Sequence, residues 1–344
     1  MILRQAQDRA ETVGVIGAGA WGTALAQMLA SDGRDVMLWA YEPEVVAAIN
    51  ADRRNPLYLP SAILAPTIRA TGDLADLAAI DTMLVVTPAQ VLGRVLAGLA
   101  RPPRDLVLCS KGIEAGTGRL MNDVAREASP GSAIAVLSGP TFAHEVAAGL
   151  PTAVTLACEG GGAQWARLAP AIARTAFRPY YSDDVTGAEI GGAVKNVLAI
   201  ACGVVEGLAL GQNARAAIIS RGYVEMLRFG EALGAQGETL AGLCGLGDLV
   251  LTCSSTSSRN FSLGKALGEG ARAAELLADR RTVAEGAFTA PVLADIAAAR
   301  GIAMPIVDAV DAILKGAGAR AVVAALLARP LRAELESDAG DLGA

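Results

Sequence analysis

TVGVIGAGAWGTALAQMLASDGRDVMLWA, residues 12–40, decides the fold of the first half of the chain. Thr12 to Ile16 is β-branched and reads as a strand. It runs straight into Gly17, Gly19 and Gly22, a GxGxxG, and then into an amphipathic helix ending near Asp32 and Gly33. A second strand, DVMLWA, follows. The glycine pattern alone says little, but a strand before it, a helix on it and a strand after it make a dinucleotide-binding fingerprint. The glycines permit a tight turn, close approach of a pyrophosphate to backbone, and close packing of helix on strand. The helix N-terminus supplies N–H groups and a dipole that favour the anion.

Working outward, the second strand should end in the residue that reads the adenosine ribose. Here the order is Trp39, Ala40, Tyr41, Glu42, with no acid at the strand end itself. Glu42 is near enough to bond a ribose hydroxyl, whereas Tyr41 could stack on or pass a 2′-phosphate, with Arg53 and Arg54 as distant basic candidates. The choice between NAD and NADP stays open. NPLYLP (55–60) is a Pro-bounded loop, a helical turn spans 73–79, and TMLVVTP (82–88) is a strand stopped by Pro88. A further strand, LVLCSKG (106–112), ends in Lys111 and Gly112 at the carboxyl edge of the sheet, where such sheets bind ligands. Lys111 there either meets an anion or is an ordinary solvated loop lysine. The strand AIAVLSG (133–139) leads into Gly139 and Pro140, a turn, with Thr141 placed to cap a short helix over 142–148. His144, the only histidine, reads as a surface or core residue rather than a catalytic one. A strand at 153–157, a helix within 163–174 and the segment FRPYYS (177–182) complete the first part.

From Gly187 the alternation of strand and helix ceases, so the chain divides into a dinucleotide-binding α/β domain, 1–186, and an all-α domain, 187–344. Helices are expected over 188–210, 214–233, 238–250, 260–268, 271–278, 289–300, 304–315 and 319–327. The first of them, in GAEIGGAVKNVLAIACGVVEGLALG (187–211), carries Lys195 and Asn196 inside an apolar segment. A buried lysine needs a partner, and desolvation lowers its pKa towards the range of proton exchange near neutrality. The bland alternative is a lysine beside Gly191 and Gly192 that reaches out to water. LCGLGDLVLTCSSTSSRNFSLG (243–264) brings Asp248, Thr252, Ser258, Arg259 and Asn260, an acid, two hydroxyls, a guanidinium and an amide suited to a small hydroxylated phosphate. Its bland alternative is a serine-rich loop with a helix cap at Ser258 or Asn260. Val283 and Glu285 precede a helix, Glu285 solvent-facing on the simplest reading.

The totals bound the class. The chain has 344 residues, 53% of them apolar and only 4% aromatic, enough for two cores built largely of small helical side chains. A net charge of −6 argues against a general nucleic-acid surface. Cys109, Cys158, Cys202, Cys244 and Cys253 form no CxxC pair and read as reduced core thiols, and one histidine argues against a metal site. No apolar leader or membrane-length run is present in the reading, so a cytoplasmic protein with no integral membrane segment is expected. The small-residue helical faces suggest a homodimer.

Five motifs in order, GAGAWGTALA (17–26), LCSKGIEAGTG (108–118), LSGPTFAHEVAAGLPTA (137–153), GGAVKNVLAIACGVVEGL (191–208) and GLGDLVLTCSSTSSRN (245–260), closely resemble the bacterial NAD(P)-dependent glycerol-3-phosphate dehydrogenase family. The likeness runs from about residue 12 to 330. It implies reversible hydride transfer between NAD(P)H and dihydroxyacetone phosphate, giving sn-glycerol 3-phosphate for phospholipid synthesis, on a Rossmann-type domain followed by an all-α domain. It makes Lys195 the catalytic proton donor and acceptor, and Lys111, Gly139, Thr141, Asp248, Ser258, Arg259 and Asn260 substrate contacts. The glycines apart, it puts the cofactor on Ala20, Trp21, Tyr41, Lys111, Ala143, Arg259, Val283 and Glu285. Ala20 stands where the family often has serine, and Tyr41 where many members have arginine or histidine, which weakens an inference of strong NADP preference. Asp248 is expected to orient Lys195, Asn196 or Thr252 to bond a substrate oxygen, and Arg259 to clamp the phosphate. The rivals are a β-hydroxyacid or sugar-acid dehydrogenase of similar architecture, and a dinucleotide-sensing protein without catalysis.

Overall fold

The computed structural model describes residues 12–278 and 284–330. Eight strands, β1 (Val13–Ile16), β2 (Val36–Trp39), β3 (Ile68–Thr71), β4 (Thr82–Val85), β5 (Asp105–Leu108), β6 (Ala133–Ser138), β7 (Thr152–Cys158) and β8 (Phe177–Ser182), form one sheet in the order β3-β2-β1-β4-β5-β6-β7-β8. Every pairing is parallel except β6 with β7. β1, β4 and β5 are buried along their whole length, as strands covered on both faces must be. Helices α1 (Ala20–Leu29), α2 (Pro43–Asp52), α3 (Leu92–Leu96), α4 (Met121–Ala128), α5 (Ala143–Ala147) and α6 (Gly161–Ile172) accompany it. The chain leaves β1 towards β2 and β3 on one side and returns to β4 on the other, so the strand order reverses at the glycine turn that follows β1. That reversal opens a crevice at the carboxyl ends of the strands.

After β8 the described chain is helical: α7 (Val185–Gly207), α8 (Gly211–Ala232), α9 (Gly237–Ala241), α10 (Asp248–Thr252), α11 (Arg259–Gly268), α12 (Ala273–Leu276), α13 (Glu285–Arg300), α14 (Pro305–Leu314) and α15 (Ala319–Leu327). α7 is the axle of this half, buried without a break from Gly187 to Val205. It is long and apolar enough to cross a membrane, yet every part of its most apolar window lies inside the protein. Its glycines let α11 cross almost backbone on backbone: a Cβ on Gly203 would overlap the Phe261 carbonyl, and one on Gly264 the Ile200 carbonyl. The small-residue faces of these two helices are thus used within the chain.

Several local expectations need correction. β3, from IRAT, and the helices α2 and α4 have no counterpart in the sequence reading. The stretch expected as one helix over 238–250 is broken: α9 stops at Ala241, a π turn covers Leu243–Gly247, and α10 begins at Asp248. Gly245 explains the break, since a Cβ there would overlap the Leu240 carbonyl. Thr141 does not cap α5; its hydroxyl donates to the Gly139 carbonyl at 3.3 Å and Phe142 takes the cap position. Lys111 lies beyond β5, which ends at Leu108, because Ser110 turns to donate to the Thr87 carbonyl.

Candidate active site

The glycine turn is shaped by missing side chains. Gly17 has φ +114°, and a Cβ on it would come within 2.9 Å of the Val86 carbonyl oxygen; one on Gly22 would overlap the Gly17 carbonyl. At Gly19 an added Cβ would meet nothing within 4 Å, because that residue faces the crevice. The turn is pinned from behind: the Ala18 carbonyl accepts from Thr23 Oγ1 at 3.1 Å and from Asn55 Nδ2 at 2.8 Å, and Asn55 is fully buried. In front lies a cavity of about 720 Å³ lined by the turn, by Tyr41, Glu42 and Tyr58, and by Thr87 after β4. Its walls hold two buried donors with no hydrogen-bond partner, Trp21 Nε1 and Thr87 Oγ1, and one unpaired buried acceptor, Glu285 Oε2. Unpaired buried donors of this kind ask for a ligand, and a cavity of this size and shape suits a dinucleotide.

A second cavity, about 470 Å³, shares Ala20, Trp21, Tyr58, Thr87, Arg259 and Glu285 with the first. On its wall two lysines converge on one carboxylate. Lys195 Nζ lies 2.5 Å from Asp248 Oδ1, and Lys111 Nζ 2.7 Å from Asp248 Oδ2. Asp248 is fully buried and Lys195 nearly so, at 4% exposure. Position 192, three residues before Lys195 on α7, is glycine, and the Lys111 stem packs beside it: an added Cβ would sit 3.1 Å from Ser138 Oγ and in ordinary contact, 3.4 Å, with Lys111 Cγ. Asp248 and Thr252 stand one turn apart at the two ends of α10, so both face Lys195. Thr252 Oγ1 accepts from Lys195 Nζ at 3.0 Å and donates to Asp248 Oδ1 at 3.2 Å. Burial pushes the Lys195 ammonium down to about 7, with the Lys111 ammonium acting the same way and Asp248 opposing both.

The far wall is the start of α11. Ser258 caps it, accepting from Phe261 N at 3.2 Å, so the bland reading of Ser258 as a cap holds while the residue also lines the cavity. Asn260 ties three helices together, donating to Asn196 Oδ1 at 3.0 Å and accepting from Gly286 N at 2.9 Å. Glu285 is not solvent-facing. Its carboxyl is buried with Oε2 unpaired, and desolvation raises its pKa to about 7 against the pull of Arg259 and Lys111.

Of the residues singled out in the sequence, Ala20, Trp21, Lys111, Thr141, Ala143, Lys195, Asn196, Thr252, Ser258, Arg259, Asn260 and Glu285 line the second cavity. Gly17, Gly19, Gly22 and Tyr41 line the first. Gly139 and Asp248 stand a layer behind, Gly139 turning its carbonyl to Lys111 Nζ at 3.5 Å. Val283 lies outside the described residues. His144 is exposed on the rim, stacked on Phe142. The sequence reading misses Asn55 and Tyr58, which come from the loop it treats only as Pro-bounded, and Thr87, which the marking of the edge after β4 could have found.

Two family models cover most of the chain: the NAD-dependent glycerol-3-phosphate dehydrogenase N-terminus matches residues 12–163 and the C-terminus of the same enzyme matches residues 184–323. A glycerol-3-phosphate dehydrogenase [NAD(P)+] of Erythrobacter litoralis is 76% identical over 327 residues, 95% of this chain and 99% of that protein. One of Novosphingobium aromaticivorans is 76% identical over 323 residues, 94% of this chain and 98% of that protein. The crystal structure of glycerol-3-phosphate dehydrogenase from Coxiella burnetii superposes with a TM-score of 0.87 at 39% identity, covering 93% of this chain and 99% of that one.

Proposed function

The chain belongs to the NAD-dependent glycerol-3-phosphate dehydrogenase family, and from that premise we propose that it interconverts dihydroxyacetone phosphate and sn-glycerol 3-phosphate with NAD(H) or NADP(H). The observation that carries the chemistry is a near-neutral Lys195 paired to a fully buried Asp248 at the wall of a polar cavity continuous with the glycine turn. Bound in the larger cavity, a reduced nicotinamide supplies the hydride. Lys195 meets the carbonyl oxygen as negative charge grows on it and gives up a proton from Nζ; in the reverse direction neutral Lys195 takes that proton back. Asp248 aims Lys195 and opposes the fall of its pKa. The Thr252 hydroxyl has its one proton on Asp248, so Asn196, whose oxygen is held by Asn260 and whose amide hydrogens are not, is the donor to a substrate oxygen. Arg259, with Ser258 and Asn260 at the first turn of α11, holds the phosphate. Lys111, Gly139 and Thr141 form the opposite side of the substrate pocket, while Ala20, Trp21, Tyr41, Ala143, Val283 and Glu285 are cofactor positions.

The proposal includes the division into a dinucleotide-binding domain, 1–186, and a helical substrate domain, 187–344, and a cytoplasmic homodimer. The dimer's support is the small-residue helix faces of the sequence, some of which α7 and α11 already use on each other, and sedimentation equilibrium tests it. The reaction is tested by steady-state oxidation of NADH and NADPH with dihydroxyacetone phosphate, on the wild type and on Lys195→Ala with its fold checked by circular dichroism. Turnover in the wild type and a loss of about 100-fold or more in the variant are expected. Cofactor binding without turnover in the wild type would overturn the assignment, and a panel of carboxylate substrates would then be the next assay.

A further inference from the structure

The exit of β2 gathers negative charge and withdraws hydrogen-bond donors, and from this we propose that Glu42 gives the enzyme a preference for NAD over NADP. The inference rests on the dinucleotide reading above. Glu42 occupies the cap position of α2, but its side chain makes no bond to that helix. Instead its Oε1 accepts from the Tyr58 hydroxyl at 2.8 Å, and the residue lines the larger cavity. A carboxylate fixed in this way is a ready acceptor for ribose hydroxyls and a repulsive neighbour for a 2′-phosphate.

The backbone around it works in the same direction. A helix N-terminus would ordinarily welcome a phosphate, through its free N–H groups and its dipole. Here the first helical residue is Pro43, which has no N–H. The Val45 N–H donates to the Glu42 carbonyl at 3.1 Å, alongside the ordinary first helical bond from Val46 at 3.2 Å, so of the first three helical positions only Glu44 keeps its N–H unused by that carbonyl. Glu44 then adds a second acid in the first turn. Tyr41, 81% exposed, contributes no charge.

The next basic residues along the chain cannot compensate. Arg53 is the C-cap of α2 and Arg54 donates to the Pro60 carbonyl at 3.4 Å. The 10 residues of α2 between Glu42 and Arg53 amount to about 15 Å of helix, and neither arginine is part of the cavity wall. Arg259 belongs to the other end, where it also lines the cavity of Lys195. Arg94 on α3, exposed at the rim, is the cation a 2′-phosphate would have to recruit.

Titration of nicotinamide fluorescence with NADH and with NADPH, without substrate, tests this on the wild type, Glu42→Gln, Tyr58→Phe and Arg94→Ala. NADH is expected to bind about tenfold or more tightly than NADPH, with Glu42→Gln narrowing the ratio about tenfold, chiefly by strengthening NADPH. Tyr58→Phe, which frees the carboxylate, weakens NADH by a few-fold. Equal affinities or an NADPH preference in the wild type, or a ratio that Glu42→Gln leaves unmoved, would overturn the proposal; an NADPH preference that Arg94→Ala removes would assign the 2′-phosphate to Arg94 instead. Because no substrate is present, a failure to turn over dihydroxyacetone phosphate would refute the reaction and leave this measurement standing.

Discussion

At the glycine turn the chain makes room by omission: Gly17 and Gly22 lack the side chains that would strike backbone, and Gly19 opens on the crevice. At the Lys111, Asp248 and Lys195 cluster the chain does the reverse, packing three charged side chains where two of the three are almost sealed from water. The first device is local, since one contiguous segment of backbone holds its own shape. The second is assembled from the loop after β5, the middle of α7 and the start of α10, and removing one partner leaves buried charge uncompensated. Geometry is stored cheaply in the turn, while the cluster stores a tuned proton at a cost in desolvation. One consequence is a pH-dependent stability. With its folded pKa below the ordinary lysine value, Lys195 costs stability below about 7, and that cost is relieved as pH rises towards the unfolded value, because over that window the unfolded chain binds a proton the folded one refuses.

The largest effect should come from breaking the cluster at its shared partner. Asp248→Asn keeps the shape but removes the charge that both ammonium groups face. Leaving buried charge uncompensated costs about 3–5 kcal/mol of stability, and misplacing the proton donor lowers kcat by roughly 100-fold to 10,000-fold. The sign of the pH effect follows from Lys195. Ketone reduction needs its protonated form and should fall as pH rises through about 7 in the wild type, while alcohol oxidation should rise through the same value. Without Asp248, which opposes the depression, both midpoints move to lower pH. Profiles of kcat in the two directions measure this, and midpoints that stay in place would remove Asp248 from the tuning of Lys195.

The same contrast explains how much can be read from sequence. The turn, its flanking strands and the change from an α/β to an all-α pattern are contiguous, and the structure has that sheet followed by helices. Lys195 also stands out, because an ammonium among apolar helix residues either needs a buried partner or must reach out to water, and the sequence does not say which. What stays hidden are pairings across distance: that Lys111 shares Asp248 with Lys195, and that Asn55 buttresses the turn from 37 residues beyond Ala18. β3 escapes notice because IRAT is short and carries an exposed arginine in mid-strand, and the π turn because Gly245 is needed only once Leu240 lies beneath it.

A smaller loss is expected at the turn itself. Gly22→Ala adds one methyl group that overlaps the Gly17 carbonyl, so the turn must shift and carry its N–H groups with it. Losing one charge-assisted hydrogen bond to the pyrophosphate should weaken dinucleotide affinity about 10-fold to 100-fold, read by fluorescence titration. The cluster lies elsewhere, so the pH midpoints of whatever activity survives should not move. Affinity within a few-fold of wild type would mean that the turn yields more easily than its packing implies, and would weaken the distinction between a rigid cradle and a tuned cluster.

The smallest effect sharpens the comparison at the place where the two devices meet. Arg259 lines both cavities and faces the buried carboxyl of Glu285. As a planar fork it can hold two phosphate oxygens at once, which the point charge of lysine cannot. Arg259→Lys keeps the charge and loses the fork, so KM for dihydroxyacetone phosphate should rise about 10-fold to 100-fold while kcat changes less, the size of a lost charge-assisted hydrogen bond. Affinity for NADH, measured without substrate, should stay near the wild-type value, since the substituted ammonium would still present its charge to Glu285. The opposite pattern, weaker NADH with KM unchanged, would move Arg259 from the substrate to the cofactor and leave the phosphate to Ser258, Asn260 and the backbone of α11, making the substrate end a cradle of the same kind as the glycine turn.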